Sequence, residues 1–191
     1  MQGWPVVIVD QELVLRPFRY RDRTQWIEVR RENAQWLAPW EATRPPIDVD
    51  NSLPTYFEMV RYYNKEGREL RSFSLGIWLK TAAGEKLIGQ ITLGGIVFGA
   101  YRGAHIGYWI DQRYANKGYT TRAVMALTNF AFAELKLHRI EINVRPENSA
   151  SRKVAEKAGY YFEGTRARYL HIAGDWRDHL TFVRENPDNF N

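Results

Sequence analysis

The spacing of apolar and polar residues changes period several times along the chain, and each change marks an element. Leu13 to Arg16 reads as a short strand closed by Pro17, and Asp22 offers an N-cap for a helix carrying Trp26, Ile27 and Val29. Residues 33–46 break the pattern. Trp36 and Trp40 stand among prolines there, so the segment is expected to lack regular structure and to present aromatics for ligand contact. Asn51 or Ser52 is expected to cap a second helix, with Pro54 near its start and Tyr56, Val60 and Tyr63 at helical spacing up to Gly67.

From Ser72 the period becomes two. Phe73, Leu75, Ile77 and Leu79 alternate with smaller or polar residues, as a half-buried strand requires. Leu87 to Val97 and Ala104 to Ile110 continue as strands after short turns, so three in a row predict an antiparallel meander. Val124, Leu127, Ala131 and Leu135 line one helical face within residues 118–135. Arg139 to Val144 alternates as a strand, Ser149 to Ala158 is a short helix ended by Gly159, and Phe162 to Leu170 and His179 to Val183 close the pattern as strands. The predicted order is β-α-α-β-β-β-α-β-α-β-β, an α/β (α+β) fold.

The chain has 191 residues, 45% of them hydrophobic, which suits a single domain spanning 1–191 with a proper core. Cysteine is absent, which excludes disulfides, thiolate zinc sites and a cysteine acyl-enzyme; no metal is expected. No apolar run reaches the roughly 20 residues of a membrane helix, and Met1 to Asp10 lacks the features of a signal peptide. A cytoplasmic protein without membrane contact is the expectation. The net charge of +5 comes from basic residues scattered along the chain, so no DNA-binding module is indicated.

The most informative stretch is 106–123, where a strand runs through a short loop into an amphipathic helix. Helix N-termini leave backbone N–H groups unpaired and carry partial positive charge, and a loop able to adopt φ > 0 turns those groups onto a pyrophosphate. Arg113 and Lys117 would add full charges. The order Arg113, Tyr114, Ala115, Asn116, Lys117, Gly118 resembles the pyrophosphate-binding motif of GNAT acetyltransferases: Arg or Gln, two residues, Gly, one residue, then Gly or Ala. Asn116 replaces the first glycine. It is the residue after glycine that most readily turns left-handed. Downstream, Asn148 to Ser151 and Gly159-Tyr160 resemble the family's strand-to-helix segment, although Asn148 and Ser151 also read as helix caps. Glu32-Asn33 through Leu37, Trp40 and Glu41, then His105 to Trp109, and Gly174 to His179 extend the resemblance to the RimJ/RimL branch, which acetylates N-terminal alanines of ribosomal proteins.

The resemblance implies a mixed, mostly antiparallel central sheet flanked by helices and splayed near its middle, with acetyl-CoA as co-substrate in the cleft. Trp109, Ile110, Arg113, Asn116, Lys117, Gly118, Tyr119, Thr120, Asn148 and Ser151 would bind that cofactor. Trp36, Leu37, Trp40, Glu41 and Trp176 would wall the acceptor, with Asp178 and His179 near Trp176. With no cysteine available, an amine would attack the thioester directly in a ternary complex. An α-amino group with pKa near 8 is about a tenth neutral at pH 7, whereas lysine is neutral in under about a thousandth of molecules, so an N-terminal substrate needs only a modest base. His105 is the first candidate for that base, with Glu141 or a water chain as alternatives. Ala155 stands where many of the family carry a tyrosine as the acid, and the resemblance to the RimL side gives the thiolate-stabilising role to Ser151 on the same helix. A protein N-terminus, with a ribosomal protein leading, is the expected partner of a monomer or homodimer. A small-amine acetyltransferase and a non-catalytic acetyl-CoA-binding module are the alternatives.

Overall fold

The computed structural model describes residues 4–45 and 53–190. Strands β1 (Ile8–Asp10) and β2 (Leu13–Pro17) form a hairpin, followed by helices α1 (Arg23–Glu32), α2 (Ala34–Leu37) and α3 (Tyr56–Arg68). The meander β3 (Phe73–Thr81), β4 (Gly84–Val97) and β5 (Gly103–Ile110) comes next, then α4 (Tyr119–Ala133), β6 (Arg139–Val144), α5 (Ser149–Lys157), β7 (Tyr161–Ile172) and β8 (Asp175–Glu185). All eight strands join one sheet in the order β1-β2-β3-β4-β5-β6-β8-β7. Every pairing is antiparallel except β5 with β6, which the crossover through α4 makes parallel. The mixed, mostly antiparallel sheet flanked by helices is therefore present.

Both faces of the sheet are covered. One carries α4 and α5 through Val124, Leu127, Ala131 and Ala155, packed on Ile91, Leu93, Ile106, Ile140 and Ile142. The other carries α1 and α3 through Val29, Tyr56, Met59 and Val60, packed on Val14, Trp78 and Leu87. This double cover explains one departure from expectation: Phe73 to Trp78 are buried without a break, on both sides of β3, where the alternation predicted a half-buried strand.

Other departures concern helix starts. Asp22 occupies the cap position of α1, but its side chain makes no cap bond. Its carboxylate instead accepts from Arg16 Nη1 at 2.8 Å and from the Arg19 backbone at 2.8 Å. Ile27 is exposed, so Val29 and the half-buried Trp26 alone face inward from that helix. Asn51 and Ser52, expected to cap the next helix, lie outside the described residues. Thr55 caps α3, in a reciprocal pair with Glu58: the Glu58 N–H donates to Thr55 Oγ1 at 3.3 Å and the Thr55 N–H to Glu58 Oε2 at 2.8 Å. β1, built from the β-branched run ending in Val9, was not anticipated.

Leu127 is fully buried between α4 and the sheet. Leu127→Ala should cost about 2–5 kcal/mol by leaving a cavity there, read as a lower urea midpoint at unchanged slope.

Candidate active site

β5 and β6 pair over three rungs only, Gly103 with Arg139, Ala104 with Ile140 and His105 with Glu141. Beyond them β5 stays with β4 as far as Ile110, and β6 stays with β8 as far as Val144. The two strands part, and the sheet opens into a wedge. Main-chain groups of Ile106–Ile110 that face the gap have lost their ladder partner in β6; the Ile110 carbonyl takes Trp36 instead, and the others are open to a ligand lying along the strand. A cleft of about 320 Å³ occupies the wedge, lined from β5 by Ile106 to Trp109 and from β6 by Ile142 to Val144.

Alternation sorts these residues onto two sides. Tyr108 reaches under the wedge toward α5, where its hydroxyl lies 2.8 Å from Ser151 Oγ and donates to the Ser151 carbonyl at 3.2 Å. Burial pushes the Tyr108 phenol up to about 12. Asn148 caps α5 by accepting from the Ser151 N–H at 3.0 Å, as its cap reading expects, and also lines the cleft. Ser151, Tyr108 and Asn148 thus meet at one point.

At the end of β5 the chain turns through Gln112–Tyr114 into α4. Asn116 has φ 60° and Gly118 φ 80°, so both take the left-handed conformation the loop requires. A Cβ on Gly118 would meet nothing within 4 Å, which leaves the backbone open to close approach. No side chain caps α4 and no acid stands in its first turn. The N–H groups of Tyr119 and Thr120 therefore point outward at the positive end of a 15-residue helix, a site built for an anion. Lys117 sits beside it, its ammonium 5.2 Å from the Tyr114 ring.

Arg113 is paired within the protein. Its guanidinium grips the buried carboxylate of Asp111, Nε to Oδ2 at 3.0 Å and Nη2 to Oδ2 at 2.5 Å, and pairs with Glu32 at 2.6 Å. Burial alone would raise the Asp111 carboxyl; the bonds from Arg113 outweigh it and hold the group below its ordinary value. Arg113 shapes the loop, and the unpaired charge beside the helix is Lys117.

Residues 33–43, expected to lack regular structure, form α2 and a 3₁₀ turn at Ala38–Trp40. They cross the wedge as a strap. Asn33 Oδ1 accepts from the Gln112 N–H at 2.8 Å, and Trp36 Nε1 donates to the Ile110 carbonyl at 3.2 Å. On the other arm, Arg145 Nη1 donates to the Pro39 carbonyl at 2.8 Å, the Ala173 N–H donates to the Glu41 carbonyl at 3.0 Å, and Ala42 bridges Ile172. Leu37, Trp40 and Glu41 line the cleft beneath the strap, with Leu170 and Ile172 opposite. Glu41 pairs with Arg30, whose guanidinium lies 5.3 Å from the Trp109 ring. Trp36 lines no part of the cleft and serves as an anchor. Trp176 is half exposed, its ring edge-on to His171, and it too stands outside the cleft.

Neither His105 nor Glu141 lines the cleft. His105 packs its ring on Gly94 and Gly95, so close that a Cβ on Gly95 would come within 2.9 Å of it. This packing desolvates the imidazole and pushes its pKa down, against the pull of Glu141. Glu141 is 5% exposed with both oxygens engaged: Arg139 Nε at 3.0 Å and the Tyr101 hydroxyl at 3.2 Å on one, Arg166 at 2.7 Å on the other. It is a structural anion. Several cleft residues escaped sequence reasoning, Tyr108, Arg30 and Arg145 among them. Tyr108 was readable from the alternation that sends it opposite Trp109, while Arg30 and Arg145 carry no local signal at all.

The profile of the acetyltransferase (GNAT) domain family matches residues 12–161. The chain is 39% identical to the "Probable N-acetyltransferase YjcK" of Bacillus subtilis (strain 168) over 177 residues, 93% of this chain and 96% of that one. It is 28% identical over 187 residues to the "[Ribosomal protein uS5]-alanine N-acetyltransferase" of Escherichia coli (strain K12), 96% of this chain and 92% of that one. Among solved structures, "Mycobacterium smegmatis RimJ in complex with CoA-disulfide" superposes with a TM-score of 0.87 at 33% identity, covering 99% of this chain and 91% of that one. With wedge, strap and helix-end anion site in their places, these matches show that the chain is an acyltransferase belonging to the GNAT acetyltransferase family.

Proposed function

We propose that the protein transfers acetyl from acetyl-CoA to the N-terminal amine of a protein, an N-terminal alanine first among candidates, by direct attack in a ternary complex. One observation carries the choice of acceptor. Among the described residues lining the cleft, Glu41 is the only acid, and it already holds Arg30. A polyamine or aminoglycoside needs unpaired carboxylates; a chain end needs room for one amine and a hydrogen-bonding wall. That wall is supplied by Gln90 and Thr92 on β4 and Asn143 on β6. The coenzyme A and ribosomal-protein acetylation named for the relatives agree with this reading.

In this reading the diphosphate rests on the backbone N–H groups of Tyr119 and Thr120 at the start of α4, beside Asn116, Lys117 and Gly118. The thioester arm lies along β5 at Trp109 and Ile110, on the side where β6 has parted from it, and ends near Ser151. When the Tyr108 hydrogen turns from the Ser151 carbonyl to Ser151 Oγ, the serine hydrogen is free to point at the sulfur, where negative charge gathers as the C–S bond breaks. Leu37, Trp40 and Glu41 hold the acceptor from above.

Peptides beginning with alanine and spermidine, each incubated with protein and acetyl-CoA and read by mass spectrometry, test the acceptor. The peptide should gain one acetyl at its α-amine; turnover confined to spermidine would overturn the reading. Gly118→Val puts a β-branched residue where φ is 80°, at a cost of about 1–2 kcal/mol, and should weaken coenzyme A binding about tenfold by calorimetry. Ser151→Ala should lower kcat by roughly 10–100-fold with little change in the KM for acetyl-CoA, and Tyr108→Phe should reproduce part of that loss.

A further inference from the structure

Five titratable side chains line the cleft: Arg30, Glu41, Tyr108, Arg145 and His179. The two arginines are permanent cations, Glu41 is paired with Arg30, and the Tyr108 phenol is raised to about 12 and bonded to Ser151. Among the described lining residues, only His179 can take up a proton near neutral pH.

His179 lies on β8, two residues from Thr181, whose hydroxyl donates to Asn143 at 2.8 Å. Its side chain thus faces the acceptor side of the wedge. The residue is 3% exposed, and its ring stands edge-on to Tyr169 with centroids 5.9 Å apart. Nδ1 lies 2.9 Å from the Arg177 carbonyl, and a carbonyl only accepts. Nδ1 therefore carries the hydrogen, and the lone pair sits on Nε2, which makes no hydrogen bond to the described residues. We propose that His179 is the general base of the transfer, accepting at Nε2, directly or through one water, the proton that the acceptor amine gives up.

The inference rests on the acetyl transfer proposed above. The amine nitrogen forms a bond to the thioester carbonyl carbon, whose π electrons move to oxygen. The proton on nitrogen passes to His179 Nε2. The oxygen electrons re-form the carbonyl as the C–S bond breaks, and coenzyme A leaves as a thiolate that takes a proton to become the thiol. His179 then releases its proton to water. The imidazole is suited to this at neutral pH: burial pushes its pKa below the usual value, against the bond to Arg177, so the ring is held neutral and ready to accept. The charged groups around it are Arg145 and Glu147 after β6, Asp178 on its own strand, and Arg166, its partner across the β7 register; Arg145 lowers the pKa further while Asp178 and Glu147 raise it.

Two protons then govern the rate at low pH, one on the imidazole and one on the acceptor. For the wild type acting on an alanine-starting peptide, log kcat/KM should climb with a slope of +1 up to about pH 8 and steepen to +2 at lower pH, where the imidazole takes its proton. His179→Gln should lose about 10²-fold in kcat/KM at pH 7.5, with coenzyme A affinity and thermal midpoint unchanged, and keep a slope of +1 throughout. A His179→Gln protein within threefold of wild type, or a wild-type slope of +1 down to pH 5, would overturn the assignment. If the variant fails to bind coenzyme A, the wild-type slope decides alone. Wild type that acetylates no peptide defeats the proposed function itself; an active wild type matched by its variant defeats only the role of His179.

Discussion

Three rungs of parallel pairing between β5 and β6, and no more, set the architecture of everything chemical in this protein. A sheet edge in the middle of a core is costly unless its main-chain groups find partners. Here the edge is held open by elements that belong to one arm or the other: β4 keeps β5, and β8 keeps β6. Cross-links then fix the width. Tyr108 to Ser151 spans the helix side, and the strap bonded to Ile110 on one arm and to Arg145 on the other spans the opposite side. The gap is a built feature with fixed walls.

Regular elements were legible where a period was uninterrupted. The meander, the α4 stripe of Val124, Leu127 and Ala131, the helix start at Gly118 and the helix stop at Gly159 follow from alternation, helical spacing and left-handed glycine. The left-handed turn at Asn116 was also legible, because few residue types tolerate it. Residues 34–40 were not. Their helical turns depend on bonds to Ile110, Gln112 and Arg145, partners 74 to 106 positions away, and no local pattern encodes such a dependence.

The site shows the same division. Residue types at fixed spacing picked out the left-handed turn before α4 and the Asn148–Ser151 cap, because those depend on main chain and on neighbours in sequence. The ownership of charges was hidden. Arg113 belongs to Asp111 and Glu32, Glu41 to Arg30, and Glu141 to Arg139 and Arg166. Each looked free until folding supplied a partner. A carboxylate bonded to two guanidinium groups carries structure, whereas an imidazole with one nitrogen unclaimed is the group left for chemistry.

The wedge has a consequence for traffic. Elsewhere the sheet is a wall between two layers of helices, with α4 and α5 behind it and α1 and the strap in front. The parted strands are a window in that wall, framed behind by Tyr108 and in front by Trp109 and His179. The cleft joins the two layers through that window, lined from behind by Tyr108 and Ser151 and from in front by Trp40 and His179.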